Sequence, residues 1–361
     1  MEKIIKVMKS KNILTGYLYF YIHLITEIAC FYMLNKITNG SMIVWLIPFV
    51  YDGLAFVPQA MIGYINDKYP KICFSMIGTV LMILAYVLYF GTSINLFISL
   101  ILLCIGNACI HINGAEITLK NSNGMLSHSA IFVGGGSFGV ILGKLLATSF
   151  VPFWGIVLLM VSMIPFILLA ETYNTEESNC KEFNYTKTSI APMAIILLAV
   201  FVVIVRGYLG YGIPTAWNKT IPQAILLYFT MGIGKALGGI LSDAFGIRKI
   251  AVFSTLLAIP FLCIGDNLMV VSLFGVALFS MTMSITLAIL VSVLKNTPGL
   301  AFGFTTIGLF LGTLPIFFIK ITDKFINIGM ITIMSIVCMF ILLYVLKENK
   351  KEEVKKDESN I

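Results

Sequence analysis

The chain has 361 residues, 59% of them apolar and only 11% charged, with a formal net charge of +7. Soluble domains carry about a quarter charged residues, so this sequence lacks the polar surface to cover a water-soluble globule. The relevant ruler is the bilayer, at about 20 apolar residues per spanning helix.

In chain order, apolar runs between turn and charge punctuation predict an all-α polytopic membrane protein with twelve spans. They lie near 13–35, 41–65, 72–90, 94–118, 126–149, 151–170, 191–210, 220–242, 249–265, 268–293, 300–320 and 328–346. The runs are too long for β-barrel strands and lack their alternation. The basic leader MEKIIKVMKSKN has no small-residue cleavage site behind it and reads as a cytoplasmic N-terminus, not a signal peptide. Span 1 carries His23 and Glu27, four apart and so on one helix face. It also holds the aromatic run Tyr17, Tyr19, Phe20 and Tyr21, most of it explained by packing or an interfacial belt, with only a cavity-facing member able to stack on substrate. Span 2 contains Asp52 and closes on Gly63, Asp67 and Lys68; span 4 contains His111 and, near its end, Glu116. Span 5 combines Gly134, Gly135, Gly136, Gly139 and Gly143, which permit close helix approach, with Lys144. Span 7 contributes Arg206 and span 8 Lys235, followed by Gly239, Asp243 and Arg248. In span 10, Thr282, Ser284 and Thr286 are candidates for a cavity wall.

Lysine and arginine set the expected orientation. Lys3, Lys6, Lys9, Lys11, Lys68, Lys71, Lys120, Lys181, Lys187, Arg248, Lys249, Lys295, Lys347, Lys350, Lys351, Lys355 and Lys356 fall on one side, against Lys36, Lys219, Lys320 and Lys324 on the other. Both termini are therefore expected in the cytoplasm of a multi-pass cell-membrane protein. The positive charge is explained by topology, not by nucleic acid. No P-loop or dinucleotide fingerprint is present, so neither a catalytic residue nor a cofactor is expected. Seven cysteines without CxxC spacing, and three histidines without ligand spacing, argue against a metal centre or a disulfide framework.

The hydrophilic segment ETYNTEESNCKEFNYTKTS divides the spans six and six, and the halves echo each other. GYINDKYPK, with Gly63 and Asp67, matches GILSDAFGIRK, with Gly239 and Asp243. LKNSNG from Leu119 matches LKNTPG from Leu294, and GVILG from Gly139 matches GLFLG from Gly308. Two repeats in register imply two six-helix lobes related by an axis along the membrane normal. The expected division is an N-terminal lobe at 1–170, a cytoplasmic linker at 171–190, a C-terminal lobe at 191–346 and a charged tail at 347–361.

Over almost its whole length the chain resembles the major facilitator superfamily. The loop after span 2 in that family reads roughly G-x-x-x-D-R/K-x-G-R-R/K. Gly63, Asp67 and Lys68 match it, and Gly239, Asp243, Gly246, Arg248 and Lys249 match it in the second half. The resemblance implies that this loop latches neighbouring helices on the cytoplasmic side. Glu116, close to the cytoplasmic end of span 4, is expected to be a gate or surface group. A narrower likeness, in GNACIHINGAE and FVGGGSFGVILGKLLA, is to the fosmidomycin-resistance type of exporter. His111, Gly114, Gly135, Gly136, Gly139 and Gly143 match, while Ile112 and Lys144 replace prolines of that type. Spans 1, 4, 7 and 10 line the central cavity in the family, which implies that His23 and Glu27 approach His111.

Charges inside a bilayer are costly unless paired or hydrated, so each is a functional candidate. His23, Glu27, Asp52, His111, Lys144, Arg206 and Lys235 are the expected substrate-binding or proton-coupling residues. A hydrogen-bonded structural cluster is the alternative for the first two and His111. Lys144 and Lys235 are each candidates to contact substrate or to pair with Asp52. The expected function is a monomeric secondary transporter that works by alternating access and exports a small anionic or zwitterionic solute in exchange for protons. A multidrug exporter of lipophilic cations and a non-transporting receptor of the same fold stay open.

Overall fold

The computed structural model describes residues 2–38, 46–89, 93–174, 180–183, 186–187, 190–319 and 323–347. Lys320 and the charged tail beyond residue 347 lie outside these. Among the described residues there are fifteen α-helices. They are α1 (Glu2–Met8), α2 (Leu14–Thr38), α3 (Leu46–Phe56), α4 (Gln59–Lys68), α5 (Phe74–Leu88), α6 (Ser93–Lys120), α7 (Ser127–Thr148) and α8 (Phe153–Glu171), then α9 (Pro192–Gly212), α10 (Ile221–Phe245), α11 (Ile247–Ile264), α12 (Met269–Ser280), α13 (Thr282–Val293), α14 (Pro298–Thr313) and α15 (Lys324–Val345). Eleven uninterrupted or nearly continuous helical stretches are long and apolar enough to cross a membrane, and α5, at 15 residues, supplies a shorter apolar helix.

Two of the twelve expected spans are broken. Span 2 divides into α3 and α4 at Val57 and Pro58, where the proline ring supplies no N–H to the helix ladder. Span 10 divides at Met281. Its neighbours turn their hydroxyls back on the backbone, Thr282 onto the Phe279 carbonyl at 3.0 Å and Ser284 onto the Met281 carbonyl at 3.3 Å, a pattern that bends helices. The basic leader also folds, as α1, burying Val7 against Ile131 and Ile240.

The helices form two six-helix bundles, with α2–α8 in the first and α9–α15 in the second. Two crossings dominate the contact between bundles, α7 against α10 and α4 against α14. Both are lined by glycine. Gly134 faces the Gly232 carbonyl, and Gly239 faces the Leu126 carbonyl. Gly63 faces the Gly299 carbonyl, and Gly303 meets the backbone of Ala60. A side chain at these positions would strike backbone, so the bundles approach as closely as main chain allows. The other glycines of α7 work inside the first bundle. Gly135, Gly139 and Gly143 press on the Phe20, Leu24 and Ile28 carbonyls of α2. The aromatic run is mainly bundle packing: Tyr19 is fully buried and bonded to Ser75 and Asn113, Tyr21 bonds Ser162, and Tyr17 is exposed.

A two-residue antiparallel bridge joins β1 (Thr186–Lys187) to β2 (Leu346–Lys347), tying the linker to the end of α15. The linker also packs inward. Cys180 and Phe183 are buried, and the Cys180 N–H donates to the Lys295 carbonyl at 3.1 Å.

Candidate functional site

His23 and Glu27 stand one turn apart on α2, and α6 brings His111 against them. The His23 and His111 Nε2 atoms are 2.8 Å apart. Glu27 Oε1 lies 3.3 Å from His111 Nε2 and 3.7 Å from His23 Nε2. All three side chains are buried. Each ring is oriented from behind: His23 Nδ1 meets the Phe132 carbonyl at 3.0 Å, and His111 Nδ1 meets the Asn107 carbonyl at 2.9 Å. A carbonyl only accepts, so each Nδ1 carries the proton and each Nε2 of a neutral ring presents a lone pair. Gly136 makes room for this arrangement, since a Cβ there would collide with the His23 imidazole.

Asn107 organises the carboxylate. Its Nδ2 donates to Glu27 Oε1 at 3.2 Å, and also lies 3.1 Å from the Tyr51 hydroxyl and 3.3 Å from Cys30 Sγ. Neither Asn107 nor Tyr51 was among the residues expected from sequence. The available signal was a polar residue one turn before His111 in an otherwise apolar run. Linear spacing also argued against a ligand cluster, yet three donors converge, their ligand atoms all within 4.8 Å of one another. They come from two spans, 1 and 4, and spacing along the chain does not say which spans meet.

A second constellation lies where the bundles meet. Arg206 on α9 and Lys235 on α10 line one small cavity with Ser129 and Val133 of α7, Ser284 and Thr286 of α13, and Phe302 of α14. Its free volume is about 10 Å³, about enough for one water molecule. No carboxylate lines it among the described residues. Arg206 is buried and its Nε has no partner among the described residues; Lys235 donates to Ser137 Oγ at 2.8 Å. The two constellations are neighbours. Phe132, whose carbonyl orients His23, packs its ring at a tilt against both His23 and Phe302. Ser137, which holds Lys235, follows the glycine against His23. Of the span 10 candidates, Ser284 and Thr286 line the cavity and Thr282 does not; all three hydroxyls bond carbonyls of their own helix or the turn before it.

Other expected residues are elsewhere. Lys144 bonds the Tyr228 hydroxyl at 3.2 Å and lies over the Phe31 and Tyr228 rings, a cation–π seat away from the cavity. Asp52 is partly exposed on α3, and no ion pair among the described residues joins it to Lys144 or Lys235. Glu116 is buried between Lys120 and Asn66, all within the first bundle.

The repeated loops pair crosswise. Asp67, at the end of α4, accepts from the Gly299 and Leu300 N–H groups, each at 2.9 Å, at the start of α14. Asp243, at the end of α10, accepts from the Leu126 and Ser127 N–H groups, each at 2.8 Å, at the start of α7. Each carboxylate therefore caps a helix of the opposite bundle, satisfying orphan N–H groups and facing the positive end of the helix dipole. Gly63 and Gly239, one turn earlier, allow the approach. Lys68 and Arg248 take no part in these caps; Lys68 is exposed over Tyr69, and Arg248 borders an outward groove with Lys249.

No family model and no curated protein matches the sequence. Solved structures do match. The human organic anion transporter MFSD10 (TETRAN) aligns with a TM-score of 0.66 at 12% identity, over 92% of this chain and 100% of that one. The fucose:proton symporter FucP of E. coli aligns at 0.62 and 14% identity, over 92% and 98%. A FucP structure in the outward conformation aligns at 0.55 and 15% identity, over 89% and 96%. Such identities speak to architecture, and on that ground the chain has the two-bundle fold of major facilitator transporters.

Proposed function

We propose that this chain is a secondary transporter of the cell membrane that works by alternating access, exporting a small anionic or zwitterionic solute in exchange for protons. The observation that carries the reading is the pair of cations, Arg206 and Lys235, facing one cavity between the bundles without a carboxylate in its wall. A buried charge is tolerated when it is paired. An anionic group entering this cavity supplies the pair, and the planar guanidinium of Arg206 suits a carboxylate or phosphonate. Between two bundles is also where transporters of this architecture hold their solute. The similarity to an organic anion transporter agrees with the sign of the charge, and the similarity to a proton symporter agrees with proton coupling.

In this reading Glu27, His23 and His111 take up and release the proton, because a carboxylate facing two imidazoles offers closely spaced proton acceptors. Asp67 and Asp243 are the cytoplasmic latches that hold the bundles closed on the inner side, with Gly63 and Gly239 setting the approach. The outward direction rests on the exporter-like residues of spans 4 and 5.

The test is binding and flux with purified protein. A panel of small carboxylates, phosphonates and lipophilic cations is screened by thermal shift, since a ligand of the native state raises its unfolding temperature. Stabilisation by anions, weakened at least 10-fold in apparent affinity by Arg206→Gln and by Lys235→Gln, is the expected result. Stabilisation by lipophilic cations alone would overturn the anion assignment in favour of a multidrug exporter.

A further inference from the structure

We infer that His23, Glu27 and His111 form a binding site for one divalent transition-metal ion of the zinc type. The site uses the same three residues as the proton exchange proposed above but does not depend on that reading.

Three observations carry it. First, the donors are the right atoms at the right size. The Nε2 atoms of His23 and His111 and Oε1 of Glu27 form a triangle with edges of 2.8, 3.3 and 3.7 Å. An ion with bonds of about 2.0–2.2 Å in tetrahedral geometry separates its ligand atoms by roughly 3.3–3.6 Å. Small side-chain adjustments bring all three into the first coordination shell. Second, the lone pairs already point inward. Both Nδ1 atoms donate to backbone carbonyls, the arrangement that fixes the tautomer of metal-bound histidine and strengthens its other nitrogen as a ligand. The carboxylate has its own supporting hydrogen bond from Asn107. Two imidazole lone pairs and an acidic oxygen therefore converge on one point. A single proton bridges only two of them; one multivalent cation satisfies all three. Third, the frame is closely packed. Gly136 abuts the His23 ring, Gly139 abuts the Glu27 side chain, and all three donors are buried.

Chemistry selects the ion. Two imidazoles with one carboxylate suit zinc, cobalt or nickel, while magnesium and calcium require mostly oxygen. Three protein ligands leave a fourth coordination position for water, unlike the closed four-ligand sets of structural zinc sites.

The experiment uses full-length protein purified in detergent without a histidine tag and stripped with a chelator. Co²⁺ is titrated as a spectroscopic probe and then displaced with Zn²⁺. One Co²⁺ per chain, with the intense visible absorption of tetrahedral cobalt, is expected, and Zn²⁺ should abolish the band. His23→Gln, His111→Gln and Glu27→Gln should each weaken binding at least 10-fold. His128→Gln, at the third histidine, should not. If the ligand variants fail to fold, X-ray absorption of zinc-loaded wild-type protein decides, with two imidazoles in the first shell expected. Absence of any cobalt band or retained zinc would leave the proton as sole occupant and overturn the site. So would equal binding by wild-type protein and folded His111→Gln. Proton coupling is measured separately, as flux in chelator-treated proteoliposomes, so either reading can fail while the other survives.

Discussion

Glu27 is the residue on which most of the proposed chemistry turns, because it alone among the three buried donors is an acid. Its replacement by glutamine keeps the size and an oxygen for Asn107 but removes the exchangeable acid. Under the proposed mechanism, Glu27→Gln in proteoliposomes should lose at least 10-fold of flux driven by a pH gradient while retaining solute binding. Full gradient-driven flux would remove Glu27 from the coupling role. The space around the cluster is equally specific. Gly136→Ala drives a methyl group into the His23 ring, an overpacking that costs about 1–3 kcal/mol. At Gly210 a Cβ would meet nothing closer than Phe279 at 3.9 Å, and alanine there should be neutral or stabilising. Thermal unfolding in detergent compares the two. Much of this cluster was legible as residues: four-residue spacing put His23 beside Glu27, and the family likeness pointed both at His111. Asn107 was not legible. A neutral amide in a span has many structural uses, and its role depends on Tyr51 and Cys30, which only the fold brings to it.

At the scale of elements, the repeated segments meet each other's partners. The Gly-x-x-x-Asp segment ending α4 caps the helix that follows LKNTPG, and the one ending α10 caps the helix that follows LKNSNG. The sequence revealed both copies, yet repetition in one dimension says nothing of which copy touches which. The same limit hid the breaks at Pro58 and Met281, which leave the apolar character of a span unchanged. The linker lies over both loops: Lys181 bonds Asn123 at 2.8 Å, and Glu182 pairs with Lys295. Between them Cys180 is buried, and that burial pushes its thiol up to about 12, leaving little reactive thiolate at neutral pH. The linker is thus placed to report on the proposed latch. Asp67→Asn or Asp243→Asn removes the charge from the capping bonds and should destabilise the closed arrangement by about 1–2 kcal/mol, a factor of roughly 5–30 in population. Maleimide labelling of Cys180, read peptide by peptide by mass spectrometry, should accelerate by a similar factor in either variant. Unchanged labelling in both would mean that the caps do not hold the inner side shut.

For the whole molecule, the contacts sort the loops onto two ends. On one end Asp266, between α11 and α12, accepts from the Ala216 N–H at 3.1 Å and pairs with Lys324 at 3.2 Å, joining three loops of the second bundle. On the other end Asn12 bonds Asn121 at 3.2 Å, Asn174 bonds the Pro70 carbonyl at 2.9 Å, and the linker bridges Asn123 and Lys295. That end also carries α1 and both capping aspartates. This sorting was legible in the sequence because helix length is set by the bilayer and each short turn reverses direction. Which end faces the cytoplasm is a separate matter, decided by where lysine and arginine collect. The end bearing Lys6, Lys68, Lys120, Arg248 and Lys295 is expected inside, and the end bearing Lys36, Lys219 and Lys324 outside. In a chain freed of native cysteines, Lys219→Cys should react with a membrane-impermeant maleimide added to intact cells, whereas Lys6→Cys and Arg248→Cys should react only after the cells are opened. The reverse pattern would invert the molecule, and with it the side on which Asp67 and Asp243 close.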